Sequence, residues 1–126
     1  MIPRIILLSA SLFSLGILGS AAAHHPPLME RCVIISSNAN IEQIEWRMPH
    51  VELLVRTDGG NSYRLTWRNI HQLAWIGINR DTLSPGDEVV FTATSRRDVV
   101  GGQPMLLSSI RRISDGWEWS QDPQGC

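Results

Sequence analysis

Four groups of side chains in this sequence have types and spacings that could do chemistry. They are the adjacent pair His24-His25, the corner histidine His50, a set of arginines that includes Arg56 and Arg64, and the two cysteines Cys32 and Cys126. The pair follows Ala21-Ala22-Ala23. Cleavage after Ala23 would place a free α-amine beside two imidazoles, which together form a donor set for copper or zinc. Cleavage after Ala22 would put His25 third, where the amine, two backbone nitrogens and the imidazole can wrap Cu(II) in a square plane. Read as a polymer, the same stretch is a polar tail stiffened by Pro26-Pro27. Short histidine tracts are compositional hints, so the metal and tail readings both stand at this level.

His50 is flanked by Trp46, Pro49 and Glu52. It either contacts a ligand at this corner or packs its ring beside the indole and donates a hydrogen bond to a backbone carbonyl. Beyond it, Glu52, Leu54, Arg56, Arg64, Thr66 and Arg68 fall on one face of two adjacent strands. Such a face can receive a carboxylate or phosphate, or it can be a solvated sheet face laced with its own ion pairs. A nucleic-acid site would interleave aromatics with these cations, but Tyr63 and Trp67 alternate to the opposite side. The candidate ligand-binding residues are therefore Trp46, His50, Arg56 and Arg64, for a small ligand or a protein partner. No G-x-S-x-G, H-E-x-x-H, Cys-His or phosphate-loop pattern occurs, so the sequence predicts no enzyme.

The elements that must position these residues follow from hydrophobic period. A first strand opens at Cys32 and runs through Ile41 and Ile44, whose spacing requires a bulge near Gln43. Val51, Leu53 and Val55 alternate along a second strand, Thr57-Asp58-Gly59-Gly60-Asn61 reads as a hairpin, and Tyr63, Leu65 and Trp67 alternate along a third strand. The period then lengthens. Ile70, Leu73, Ala74 and Gly77 predict a short helix, with Asn69 and Gln72 as a capping box and Gly77 as its stop. Leu83-Ser84-Pro85-Gly86-Asp87 has the form of a type II turn, and it leads into a fourth strand carrying Val89, Phe91 and Ala93. A fifth strand follows from Met105 to about Ile113, and residues 114–126 show no period. This order predicts a mainly β domain, a small five-stranded Greek-key barrel of the OB type with one short helix between strands 3 and 4. A small open sheet with the helix on one face is the competing architecture.

Met1 to Ala23 has the layout of a secretory leader, with Arg4, an apolar run from Ile5 to Leu18 too short to span a membrane, and small residues before the histidines. The expected organisation is a signal peptide at 1–23, a flexible tail at 24–31, the barrel at 32–113 and a C-terminal tail at 114–126. The product is expected to be periplasmic or secreted, without a stable membrane anchor. The chain of 126 residues carries a net charge of -1, with 11 basic residues against 12 acids, and removing Arg4 makes it more acidic. That balance argues against a polyanion partner. In an oxidising compartment Cys32 and Cys126 are better read as disulfide partners than as free thiols, within one chain or between two. Cys32 could also serve as a soft donor near the histidine pair.

The chain also resembles a family of small exported bacterial proteins of unknown function. The likeness rests on Ala23-His24-His25, Ile41-Glu42-Gln43-Ile44-Glu45-Trp46, Met48-Pro49-His50 and Leu83-Ser84-Pro85-Gly86-Asp87. Met48 stands where the family pattern has Asn, and Ala39 where it has Gly. The resemblance implies export and an OB-like barrel, and it implies no established activity.

Overall fold

Apolar alternation in the sequence becomes burial in the structure. A computed structural model describes residues 32–96 and 104–122, arranged as β1 (Cys32–Glu45), β2 (Glu52–Thr57), β3 (Ser62–Thr66), α1 (Ile70–Trp75), β4 (Glu88–Arg96), β5 (Met105–Arg112) and β6 (Glu118–Ser120). Val51, Leu53, Val55 and Leu65 are fully buried, as are Val89, Phe91 and Ala93, so the predicted inward faces of strands 2, 3 and 4 are the core faces. Tyr63 is half-buried against this cluster, its ring tilted onto Phe91 at 6.0 Å.

Among the described residues the strands form one six-stranded sheet in the order β3-β2-β1-β4-β5-β6. Neighbours in that order are antiparallel. β3 also pairs in parallel with β5, Leu65 opposite Met105 and Thr66 opposite Leu106, so the pairing runs from β1 through β2, β3, β5 and β4 back to β1. β1 serves two partners. Its first part pairs with β4, its last part with β2, and Ala39 and Asn40 pair with both.

The bulge expected near Gln43 is present. Ile41 opposes Val55 and Gln43 opposes Leu54, which leaves Glu42 as the extra residue and lets Ile41 and Ile44 both turn toward the core. A second irregularity on β5, where Thr92 opposes Ser109 and Ala93 opposes Leu107, leaves Ser108 as the extra residue. Ser108 is buried, and its hydroxyl donates to the Thr92 carbonyl at 3.0 Å, satisfying a polar group that would otherwise be costly there.

Helix α1 is capped as its sequence predicts. Asn69 Oδ1 accepts from Gln72 N at 2.8 Å, and Gln72 Oε1 accepts from Asn69 N at 3.2 Å. At the other end Gly77 takes φ 81°, with Gly77 N donating to Ala74 O and Ile78 N to Leu73 O, a Schellman closure around the buried pair Leu73 and Ile78. Ala74, expected on the apolar side of the helix, is exposed. The Ser84–Asp87 turn has Gly86 at φ 93° and Asp87 N donating to Ser84 O at 3.1 Å, and it is pinned to β1 by Gly86 N to Ile41 O at 2.7 Å.

Among the described residues the expected five strands become six. Residues 118–120, read from sequence as part of an aperiodic tail, form β6 against β5, with Trp119 opposite Ile110. Three residues are too few to carry a period. What holds the strand is Trp119, buried edge-on against Trp67 with ring centroids 5.4 Å apart. Cys32 is buried and disulfide-bonded. Cys126, the leader at 1–23 and the pair His24-His25 lie outside the described residues.

Candidate functional site

The β2–β3 hairpin puts Glu52 opposite Thr66, Leu54 opposite Arg64 and Arg56 opposite Ser62, so these residues of the two strands share one face. Its arginines are engaged by the chain's own acids. Arg64 Nη1 donates to Glu52 Oε2 at 2.7 Å and lies 3.4 Å from Glu45 Oε2, while Arg56 Nε donates to Glu42 Oε1. The Glu52 hydrogen bond and charge, reinforced by Glu45, raise the Arg64 pKa still further above its ordinary value. The bulge explains the Arg56 pair, because the extra residue it inserts into β1 is Glu42. This face is therefore internally neutralised, and an incoming anion would have to compete with two glutamates for Arg64.

The Trp46–His50 corner links β1 to β2. Trp46 is half-buried against the core, Arg47 Nη2 donates to Glu45 Oε2 at 2.7 Å, and Met48 is exposed ahead of a cis Met48–Pro49 bond. His50 is exposed, and among the described residues its ring has no hydrogen-bond partner. The corner is closed instead by backbone bonds at Val51, whose N–H donates to Arg68 O at 3.0 Å and whose carbonyl accepts from Trp67 N at 2.7 Å.

A different surface has the form of a site. Arg68, His71, Gln72, Trp75 and Ile76 line a shallow, open and mainly apolar hollow of about 320 Å³ between the end of β3 and the outer side of α1. Trp75 is 91% exposed and Ile76 48%. Arg68 is positioned from beneath. Its Nε donates to Gln121 Oε1 at 2.8 Å, Gln121 Nε2 donates to Leu107 O at 3.2 Å, and the guanidinium lies 5.9 Å from the Trp119 ring centroid. Arg68, Trp119 and Trp67 thus form a chain of contacts that leads from the hollow to the core. Among the described residues Trp67 Nε1 is buried with no hydrogen-bond partner.

The sequence pattern places Arg68 on the outer face of the two adjacent strands, but it does not single out Trp75. The signal that could have found it is helical spacing. With Leu73 on the inner side of a six-residue helix, a bulky apolar residue two positions later is turned outward.

A smaller polar hollow of about 100 Å³ is lined by Asn38, Ala39, Asn40, Asp58, Glu88 and Ile113. Among the described residues no group of three or more His, Cys, Asp or Glu could hold a metal ion, and no helix is long and apolar enough to cross a membrane. No protein-family model matches the chain, and no curated protein or solved structure is significantly similar to it.

Proposed function

We propose that this chain is an exported, non-enzymatic binding module built on an OB-like barrel. The circuit β1-β2-β3-β5-β4, with α1 between β3 and β4, supports the barrel reading. The observation that carries the binding reading is Trp75, a large apolar side chain left 91% exposed on a capped helix beside an apolar hollow. The corner and sheet residues Trp46, His50, Arg56 and Arg64 support it less well, because both arginines already have carboxylate partners.

The five indole N–H signals of the tryptophans provide the test. On adding small-molecule and protein fractions from the exported compartment to labelled protein, the Trp75 signal is expected to shift while that of buried Trp67 holds. A shift confined to Trp46 would move the site to the corner. Silence from both fractions would overturn the reading.

The second reading, a copper- or zinc-binding protein, rests on His24-His25 alone. It requires that His24→Ala/His25→Ala protein lose Cu(II) uptake relative to the parent.

A further inference from the structure

Arg68 differs from four arginines around the sheet that have acid partners of their own. Arg47 is paired with Glu45, Arg56 with Glu42, Arg64 with Glu45 and Glu52, and Arg112 with Asp87 and Asp115. Arg68 faces the Trp75 hollow, no acid lines that hollow, and its hydrogen-bond partner among the described residues is the neutral Gln121. In water an unpaired guanidinium is well solvated. Covering the hollow with apolar surface would strip that water, and an unpaired cation in such a setting is costly. A cover for Trp75 that carries a carboxylate would offset that cost at Arg68.

The shape of the hollow favours a macromolecule. Small-molecule sites enclose most of their ligand, whereas this one is shallow and Trp75 stands out of it. Exposed Trp beside Arg is the composition of a protein-binding hot spot, in which a rim supplied by the partner excludes water.

Resting on the binding-module reading above, we infer that this surface docks a partner protein. An apolar or aromatic side chain of the partner lies against Trp75 and Ile76, and an Asp or Glu close to it in the partner pairs with Arg68.

The probe is a displayed library of random dodecapeptides, selected on the exported protein and on two variants whose melting temperatures are checked against the parent. Trp75→Ala removes the apolar platform. His71→Glu offers Arg68 a carboxylate of the chain's own and repels an incoming one. Both positions are exposed, so both variants are expected to fold. Selected peptides should combine an apolar or aromatic residue with a neighbouring acid, bind each variant at least tenfold more weakly, and weaken as salt rises. Peptides without an acidic preference, or peptides that bind both variants as well as the parent, would overturn the inference while leaving a binding module in place. A library that yields no binder would also overturn it. So would a dimer of the parent that Trp75→Ala converts to monomer, since a second copy would then be the occupant.

Discussion

Arg112 grips Asp115 through two parallel hydrogen bonds, Nε to Oδ1 at 2.9 Å and Nη2 to Oδ2 at 2.8 Å. The same guanidinium donates from Nη1 to Thr82 O at 2.6 Å and lies 5.8 Å from the Trp117 ring centroid. One side chain of β5 thereby joins the segment before β4 to the turn before β6. The Arg112 bond, helped by the Trp117 N–H, holds the Asp115 carboxyl down at about 2 from an ordinary 3.8.

The sign of the resulting pH dependence follows from that depression. A carboxyl with a lowered pKa in the folded state stabilises the protein above its unfolded value and loses that contribution as pH falls through the folded value. The stability gap between wild type and Asp115→Asn is therefore expected to be constant above about pH 4 and to close toward about pH 2. Urea unfolding of both proteins across this range would measure it, and a gap that stays constant would disprove the clamp's role.

Trp67 and Trp75 should respond very differently to truncation. Trp67→Ala empties a core position that is 4% exposed and removes the surface on which Trp119 packs, so it should cost about 3–5 kcal/mol. Trp75→Ala should stay within about 0.5 kcal/mol, the range of surface changes. Chemical denaturation of the two variants is the check, and comparable losses would mean that Trp75 is packed against something.

Two local devices can be tested by single substitutions. Gly86→Ala meets no steric neighbour but forces an L-residue into φ 93°, at a cost of about 1–2 kcal/mol. Asn69→Ala removes the side-chain acceptor at the start of α1, at about 1 kcal/mol. Thermal melts should rank both above His50→Ala, which is expected to be nearly neutral because the ring is exposed.

The disulfide at Cys32 has Cys126 as its candidate partner, the chain having two cysteines. If it closes within one chain, the protein should run as a monomer with no free thiol, and reduction should lower stability by up to about 4.7 kcal/mol, the chain-entropy figure for a ring on the order of 100 residues. A dimer band lost on reduction would assign it between chains.

Features encoded within a few residues were legible in the sequence. Asn69 with Gln72, Pro85 with Gly86, and the hairpin at Thr57–Asn61 are each closed by bonds spanning three or four positions. The odd spacing of Ile41 and Ile44 was enough to reveal a bulge. Features that depend on register between distant strands were less so. The pairing of Arg56 with Glu42 depends on which residue the bulge leaves over, and β6 exists because Trp119 meets Trp67 across 52 positions. The site suffered most. Arginines on one strand face look available until the opposing glutamates are in register, and Trp75 looks like an ordinary apolar residue until a six-residue helix turns it outward.

The double role of β1 sets an order of events for a chain made from its N-terminus. Its later residues can pair with β2 across a short corner, but Cys32 must wait for Arg96, 64 positions downstream, before its ladder with β4 can close. Until then the first half of the longest strand presents an open backbone edge carrying Val33, Ile34 and Ile35, a template for pairing with other chains. Folding dominated by such long-range closure is slow. A chain of this design is therefore most exposed to aggregation after β3 has emerged and before β4 has, and that interval is where a holding chaperone would have the greatest effect on yield.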